Sequence, residues 1–440
     1  MALALPGSPV SCDSFVPPCR LSGPAARSAN QPIGYLMEKA LQHPELISLA
    51  AGFVDQHSLP VDAFRQAATT VLSDPARGRM ALQYGTTFGY GPLREALLHD
   101  LLHADGTTAA EVNLAVDQVV VSAGSNQLLY LLSEILFEAG DIVLCTWPTY
   151  FVYLGVLRAL GVRAIGVETD ENGMVPESLA SRLAALDASG ELPRVKAIYV
   201  VSYFDNPGGV TLSLERRPTI VELARKYSRE QRIHVLEDAA YRELRYAGED
   251  LPSMRSFDTA GDTVIHLGTF SKSFSPGVRI GWGFLPRHLV HAVSDVKGII
   301  DFGSPNFAQH AMSEVLAQGL YRPQIERLRE AYRAKLQAML AAADRHLSGL
   351  PGVSWPRPTG GLYVWLTLPE HVDTGLDGRL FALAMEEGIL YVPGEYGYPT
   401  DGRAPQRNTL RLSFGVQTPE RIGEGMAALG RAVRRVLAES

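Results

Sequence analysis

The 440-residue sequence is short of several features that would narrow its class. Its three cysteines, Cys12, Cys19 and Cys145, are an odd number without zinc-ligand spacing, so they indicate neither a disulfide framework nor a metal site. No apolar run is long enough to cross a bilayer, and no block of like charge occurs. The net charge of −7 argues against nucleic acid as the main partner. We therefore expect a cytoplasmic protein that acts neither in membranes nor on nucleic acids.

The first 30 residues are proline-rich and lack a basic leader, which predicts a flexible N-terminal arm rather than a secretory signal. The rest of the chain is long enough for two domains, and its 46% hydrophobic content is ordinary for a globular protein. We expect a large domain over residues 56–305. A smaller α/β domain is expected from residues 31–55 and 306–440.

Seven short β-branched runs alternate with segments of helical periodicity between about residues 117 and 286. The runs are VDQVVVSAG, DIVLCTW, RAIGVETD, VKAIYVVSYF, IHVLEDAA, TVIHLGT and RIGWGFLP. This alternation predicts an α/β fold whose large domain has a mostly parallel, seven-stranded sheet between helices. After the first run, apolar residues from Leu128 to Leu136 recur at helical spacing and predict a helix that begins at Ser125.

The segment HLGTFSKSFSPGVRIGWG places Lys272 among small hydroxyl residues, seven positions before Arg279. A lysine amine can hold an aldehyde cofactor covalently, and an arginine with the hydroxyls of Thr269 and Ser271 can bind its phosphate. Pyridoxal 5′-phosphate (PLP) carries both groups. Taken alone, however, a lysine with an arginine nearby is more often part of a solvated polar loop.

Other polar residues follow predicted strands at their carboxyl ends, where open parallel sheets bind ligands. Asn206 follows one strand, and Asp238 and Tyr241 follow another. Gly124 and Ser125 lie where a strand ends and a helix begins, so backbone N–H groups and the positive end of the helix dipole predict an anion site there. Ser125 could alternatively be a simple helix N-cap.

Eight ordered sequence blocks resemble the class I and II aminotransferases of the fold-type I PLP enzymes, in particular the subgroup of 2-aminoadipate and kynurenine aminotransferases. They run from about Ile47 to the C-terminus: LISLAAGF, LQYGTTFGYGPLREAL, VSAGSNQLL, WPTY, DNPGGVTL, LEDAAY, GTFSKSFSPGVRIGW and NTLRLSFG. The resemblance implies a homodimer with shared active sites that moves an amino group from an L-amino acid to a 2-oxo acid by a ping-pong mechanism. It suggests 2-oxoglutarate as acceptor, and 2-aminoadipate, aromatic or branched amino acids as donors.

The resemblance also implies the catalytic roles. Lys272 would form the Schiff base with PLP and then move a proton, and Asp238 would pair with the protonated pyridine nitrogen. Strand alternation directs the neighbouring Glu237 to the opposite side. Asn206 and Tyr241 would hydrogen-bond the cofactor's phenolic oxygen, although an asparagine before proline is also common in turns and a tyrosine in cores.

The remaining cofactor contacts follow from the same resemblance. Tyr150 would stack on the cofactor ring, although core packing is an alternative, and Tyr84 would reach the phosphate of the neighbouring subunit's cofactor. Two positions depart from the family pattern: Asn126 replaces a glutamine, and Gly208 replaces a threonine or serine. The implied phosphate-binding residues are Gly124, Ser125, Asn126, Thr269, Ser271 and Arg279.

The substrate site is implied around Arg411 in LRLSFG, whose planar guanidinium suits an α-carboxylate. Alternation places Arg411 on the face opposite Leu410, and the alternative is a solvent-facing strand arginine. Asn206 and Gly52 would also contact the substrate. Phe53 and Tyr90 are candidates for the side-chain pocket or for plain core residues.

Two other functions fit the same residues. One is another PLP reaction on amino acids, such as β-elimination, decarboxylation or condensation. The other is a PLP-binding, ligand-sensing module like those fused to a DNA-binding winged helix in some regulators. The segment before the first block is short and not basic, which argues against a nucleic-acid reader.

Overall fold

The computed structural model describes residues 19–29, 34, 42–43 and 45–439. The predicted N-terminal arm, residues 1–30, lies mostly outside the described residues, as does much of the segment that follows it. Within the arm, a short helix spans Gly23–Arg27, and Arg27 Nε donates to the carbonyl of Ala159 at 3.0 Å.

The main architectural element is a central eight-stranded sheet. A short strand, β1 (Ile47–Ser48), precedes it in the chain and lies outside it. The strands of the central sheet are β2 (Val119–Ser122), β3 (Ile142–Trp147), β4 (Arg163–Asp170), β5 (Gly173–Met174), β6 (Val195–Val201), β7 (His234–Asp238), β8 (Val264–Thr269) and β9 (Gly281–Phe284). Their order is β2-β9-β8-β7-β6-β3-β4-β5. Strands β8, β7, β6, β3 and β4 are parallel, whereas β9 runs antiparallel to both of its neighbours. The seven predicted strands are present, and the two-residue strand β5 adds an eighth at the edge by pairing antiparallel with β4.

Helices pack on both faces of this sheet because alternate strand residues point to opposite sides. In β3, Val143 and Cys145 join one buried cluster, and Ile142 and Leu144 join another. The helices that precede the C-terminal region are Val61–Ser73, Pro75–Leu82, Gly91–Asp105, Ser125–Leu136, Phe151–Leu160, Pro176–Ala188, Arg216–Tyr227, Phe270–Ser273, Arg287–Asp301 and Asn306–Ala317.

The helix predicted after the first strand begins at Ser125 and ends at Leu136. Leu128, Leu129 and Leu132 are buried on its inner face against the sheet. Full burial of a leucine contributes roughly 1.5–3 kcal/mol relative to exposure. This packing holds the first turn of the helix at the carboxyl end of β2.

A second group of strands and helices lies towards the C-terminus. Its strands are β10 (Tyr363–Thr367), β11 (Ile389–Leu390), β12 (Val392–Pro393) and β13 (Thr409–Ser413). Strand β13 pairs antiparallel with β10 and β12, and β1 joins this group by pairing parallel with β11. The accompanying helices are Tyr321–His346, Arg379–Glu386 and Pro419–Glu439.

Helix Asn306–Ala317 packs with the helices of the predicted large domain, because Met312 and Val315 share a buried cluster with Ala67 and Leu93. The division of the chain at residues 55/56 and 305/306 stays a prediction. Among the described residues, no helix is both long and apolar enough to span a membrane.

Candidate active site

A cavity of about 210 Å³ opens at the carboxyl ends of β6, β7 and β8. Every predicted cofactor-binding residue except Tyr84 contributes to its wall. The lining residues are Gly124, Ser125, Asn126, Tyr150, Val201, Asn206, Asp238, Ala240, Tyr241, Thr269, Ser271, Lys272, Pro276 and Arg279.

One end of the cavity is formed by the start of helix Ser125–Leu136. Gly124 precedes the helix with φ of +88°, a conformation that favours glycine, and no side chain caps the helix. The N-cap alternative for Ser125 is therefore wrong, and the first N–H groups are left for an anion. Gly281 of β9 passes so close that a Cβ there would lie 2.2 Å from the Ser125 nitrogen.

Arg279 brings a permanent positive charge to the same end. Its Nη2 donates to the Ala123 carbonyl at 3.0 Å and its Nη1 to the Pro276 carbonyl at 3.3 Å, while no described carboxylate pairs with it. Thr269 and Ser271 join the site through a 2.9 Å hydrogen bond between their hydroxyls. Backbone N–H groups, two hydroxyls and an arginine form a donor set that suits a phosphate dianion.

Asp238 lines the same cavity as the last residue of β7. It is 5% exposed, and its carboxylate accepts hydrogen bonds from the Ala240 N–H at 3.1 Å and the Tyr199 hydroxyl at 3.1 Å. No described cation pairs with it, and burial raises the pKa of Asp238. A buried carboxylate with spare acceptor capacity calls for a cationic partner, and a protonated pyridine nitrogen is one.

Glu237 points to the other face of the strand, as alternation predicts. Its carboxylate contacts His266 Nδ1 at 2.8 Å and accepts from the Ser202 hydroxyl and the Met254 N–H. Burial opposes its charge, but His266, the Arg217 cation and the Met254 N–H outweigh burial and lower the pKa of Glu237 to about 2. It is therefore a satisfied internal carboxylate, unlike Asp238.

Lys272 follows β8 in the short helix Phe270–Ser273 and lies at the cavity wall. Its Nζ donates to the Gly52 carbonyl at 2.8 Å. This bond joins the chain segment after β1 to the end of the central sheet. The amine thus lies where an aldehyde in the cavity would meet it.

Arg411 lies in β13 and is 2% exposed, so the solvent-facing alternative is wrong. Its Nη1 donates to Asn206 Oδ1 at 2.9 Å and its Nη2 to the Ala50 carbonyl at 2.8 Å. No described carboxylate pairs with it, and its Nε has no hydrogen-bond partner among the described residues. A buried, uncompensated guanidinium is costly unless a ligand brings an anion to it.

Asn206, Tyr241 and Tyr150 also line the cavity. Because Asn206 Oδ1 accepts from Arg411, its Nδ2 remains to donate elsewhere. Burial raises the pKa of Tyr241 and of Tyr150, so both phenols stay neutral and can donate. These side chains can bind the polar edge and the face of an aromatic cofactor.

The loop after β6 explains why Gly208 stands where the family pattern has a threonine or serine. Asp205 Oδ1 accepts from the Val210 N–H at 2.6 Å, and a Cβ on residue 208 would lie 2.9 Å from the same oxygen. The Asp205 carboxylate therefore occupies the space that a larger side chain at position 208 would need. By accepting from the Val210 N–H, this carboxylate also links the two ends of the loop that carries Asn206.

Five predicted residues are not part of the cavity lining. Arg411 and Gly52 are hydrogen-bonded to the lining residues Asn206 and Lys272, whereas the other three lie elsewhere. Tyr84 is 82% exposed and contacts the Phe302 ring, with centroids 6.2 Å apart. Tyr90 stacks on His310 at 3.7 Å beside helix Gly91–Asp105, so it is a packing residue rather than a wall of this cavity. Phe53 is 55% exposed next to Gly52.

Sequence reasoning missed three residues of the site. Tyr199 holds Asp238, Gly281 allows β9 to cross the start of helix Ser125–Leu136, and Tyr363 places its hydroxyl 3.3 Å from that of Tyr241. Tyr199 lies in the apolar run AIYVV of β6, and this signal could have found it, because a buried phenol needs a partner.

The donor set, the unpaired Asp238 and the lysine amine fit PLP at its phosphate, its ring nitrogen and its aldehyde. With the parallel sheet and the site at its carboxyl edge, they define a PLP enzyme of fold type I. Residues 44–429 match the family model described as aminotransferase class I and II. The chain belongs to this family and is a PLP-dependent aminotransferase.

Similar proteins agree with this assignment. The chain is 33% identical to aromatic-amino-acid aminotransferase 1 of Thermococcus litoralis over 90% of each protein. Its structure superimposes on the multiple substrate aminotransferase of Thermococcus profundus with a TM-score of 0.87 and 33% identity, over 96% of this chain and 98% of the other. It is also similar to the α-aminoadipate aminotransferase of Thermus thermophilus, solved with N-(5′-phosphopyridoxyl)-L-leucine, with a TM-score of 0.82 and 30% identity over 96% and 98% of the chains.

The Asp205 arrangement predicts a pH-dependent stability. Burial outweighs the Val210 and Gly208 N–H groups and raises the pKa of Asp205 to about 7. A raised folded-state pKa means that the stability contributed by this proton is present below the unfolded pKa and is lost as pH rises towards 7. We expect the melting temperature of Asp205→Asn relative to wild type to increase between pH 5 and pH 8.

The exposed Asp62→Asn variant is the control, since its carboxylate lies on the surface beside Arg65. Differential scanning fluorimetry over this pH range measures the difference. A constant offset between Asp205→Asn and wild type across the range would contradict the prediction.

Proposed function

We propose that this aminotransferase takes its amino group from an L-amino acid whose α-carboxylate binds Arg411, and passes it to 2-oxoglutarate in a ping-pong cycle. The observation that carries the proposal is the buried Arg411 guanidinium, which has a free Nε and no carboxylate partner among the described residues. A substrate carboxylate would supply the missing charge in a bidentate geometry. The acceptor and the cycle are inferred from the family resemblance.

When bound, PLP supplies an aldehyde and a protonated ring that accepts electrons from the substrate's α-carbon. Lys272 Nζ would hold the aldehyde carbon between turnovers. Once displaced by the substrate amine, the same Nζ would take the proton from the α-carbon and deliver it to that former aldehyde carbon. Its bond to the Gly52 carbonyl supports this role, since it holds the amine beside the substrate side of the cavity.

Other side chains would orient the reactants. Asp238 would keep the ring nitrogen protonated, and its bond from the Tyr199 hydroxyl would fix the carboxylate's direction. Asn206 Nδ2 and the Tyr241 hydroxyl would donate to the phenolic oxygen. Because Asn206 also accepts from Arg411, one asparagine would connect the carboxylate site to the cofactor.

The first test uses the visible spectrum of the purified, PLP-loaded enzyme with single L-amino acids and no acceptor. We expect the absorbance of the lysine-bound cofactor to disappear with good donors and to return on addition of 2-oxoglutarate. Rates should rank 2-aminoadipate, aromatic and branched amino acids above others. A spectrum that changes but is not restored by any 2-oxo acid would favour elimination, decarboxylation or condensation instead.

Lys272→Ala should lower the rate of 2-oxo acid formation from a good donor, with 2-oxoglutarate as acceptor, by at least about a thousandfold, because the variant loses both the attachment point and the base. Lys226→Ala is the control, since Lys226 lies at the end of helix Arg216–Tyr227 and outside the cavity lining. A Lys272→Ala enzyme that turned over near the wild-type rate would disprove the proposed mechanism.

Arg411→Ala should weaken the binding of the amino acid while PLP stays bound. Loss of a charge-assisted fork predicts a rise in the dissociation constant of roughly tenfold to a hundredfold. Spectral titration with an L-amino acid and with the same compound lacking its carboxyl group measures the preference for the carboxylate. This preference should collapse in Arg411→Ala, and release of cofactor with unchanged amino-acid binding would contradict the role.

We also propose that the enzyme is a homodimer whose second copy covers an apolar surface next to the cofactor site. Half of the large, exposed apolar side chains of the described chain belong to two adjacent segments: Met80, Leu82, Tyr84, Ile299, Ile300 and Phe302. The Tyr84–Phe302 contact and the bond from Asn306 Nδ2 to the Met80 carbonyl join the segments into one surface. Such a contiguous patch favours a protein interface, and Tyr84 would reach the partner's cofactor phosphate from it.

Ile299→Glu should shift the enzyme from dimer to monomer. Ile299 is 85% exposed in one copy and would be covered in the dimer, so the introduced glutamate would place a buried charge in the interface. The control Leu214→Glu changes an exposed leucine outside this surface. Sedimentation velocity gives the mass, and equilibrium dialysis should show weaker PLP retention in the monomer. An Ile299→Glu protein with the wild-type mass would argue against this interface.

The cytoplasmic location also remains a proposal. The two cysteines among the described residues, Cys19 and Cys145, are both free thiols, which supports a reducing environment.

A further inference from the structure

Tyr363 is a buried tyrosine beside the cofactor cavity, and it has no part in the proposed function described above. It is the first residue of β10 and is 2% exposed. The Arg411 guanidinium lies over its ring, with Cζ 4.3 Å from the ring centroid. This cation–π contact places Tyr363 directly against the proposed carboxylate site.

The Tyr363 hydroxyl points towards the cofactor side of the site. It lies 3.3 Å from the Tyr241 hydroxyl, and the two rings meet edge to face at 5.9 Å. A Cβ on residue 52 would lie 2.7 Å from the same hydroxyl, so the glycine leaves room for it. Because Lys272 Nζ donates to the carbonyl of Gly52, the phenol and the lysine amine flank one glycine.

The surrounding charges make the two phenols unequal. Burial raises the pKa of Tyr363, but the Arg411 and Lys272 cations outweigh burial and hold this pKa below its ordinary value. The pKa of Tyr241 is raised by burial. The more acidic phenol is the better donor, so Tyr363 O–H is the natural donor to Tyr241 once the Tyr241 proton is engaged elsewhere.

We propose that Tyr363 is a positioning residue that donates a hydrogen bond to the Tyr241 hydroxyl and thereby directs the Tyr241 proton to the phenolic oxygen of PLP. The inference rests on the proposed role of Tyr241. A phenol that accepts one hydrogen bond donates a stronger one, because the bonds of a chain polarise each other. Tyr363 would therefore stabilise the negative phenolic oxygen and make the nitrogen that joins Lys272 to the cofactor less basic.

The test is the visible absorbance of the PLP-loaded enzyme as a function of pH, without substrate. We expect the midpoint of the absorbance change in Tyr363→Phe to rise by about half to one pH unit, the equivalent of one lost hydrogen bond. Tyr391→Phe is the matched control, since that buried tyrosine donates to the Thr374 carbonyl. Its midpoint should equal that of the wild type.

Tyr241→Phe and the double variant separate this inference from the function on which it rests. We expect Tyr241→Phe to raise the midpoint, and Tyr363→Phe to add nothing in the Tyr241→Phe background. A wild-type midpoint in Tyr363→Phe, beside a raised one in Tyr241→Phe, overturns only the role of Tyr363. An equal shift in both backgrounds also overturns it, because Tyr363 would then act without Tyr241. A wild-type midpoint in Tyr241→Phe overturns the proposed role of Tyr241 and this inference together.

Discussion

Two buried charges of opposite sign, the Asp238 carboxylate and the Arg411 guanidinium, lack ionic partners among the described residues. Each is costly to bury alone, so ligands that bring the complementary charges would stabilise the site. In the proposed function, a protonated ring nitrogen would complement Asp238 and a substrate carboxylate would complement Arg411. Lys272 lies in the same cavity wall as Asp238, and its Nζ donates to the Gly52 carbonyl, so its amine would be close to both proposed ligands.

The fold holds these charges from different parts of the chain. Asp238 ends a central strand of the large sheet, whereas Arg411 lies in β13 of the C-terminal strands. The bond between Arg411 and Asn206 spans 205 positions in sequence and joins the two regions at the site. Any movement of one region relative to the other would therefore change the distance between Arg411, the proposed carboxylate-binding residue, and the residues proposed to contact the cofactor.

Sequence patterns predicted much of this arrangement for physical reasons that act locally. Strand alternation separated Asp238 from Glu237, and a glycine before a helical apolar pattern predicted the anion site at Ser125. Non-local packing was not predictable in the same way. Tyr90 proved to be a packing residue on His310, and Gly208 made sense only when the Asp205 carboxylate was found in the space beside it.

The sequence by itself determined the chemical groups, the alternation of strands and helices, and the side of each strand that a residue occupies. These properties depend on neighbours within a few positions, where backbone geometry restricts the outcome. Only the tertiary structure decided that Arg411 is buried without an anion and that the Tyr363 phenol meets Tyr241 across 122 positions. Such contacts depend on how distant segments pack, and no periodicity along the chain encodes that distance.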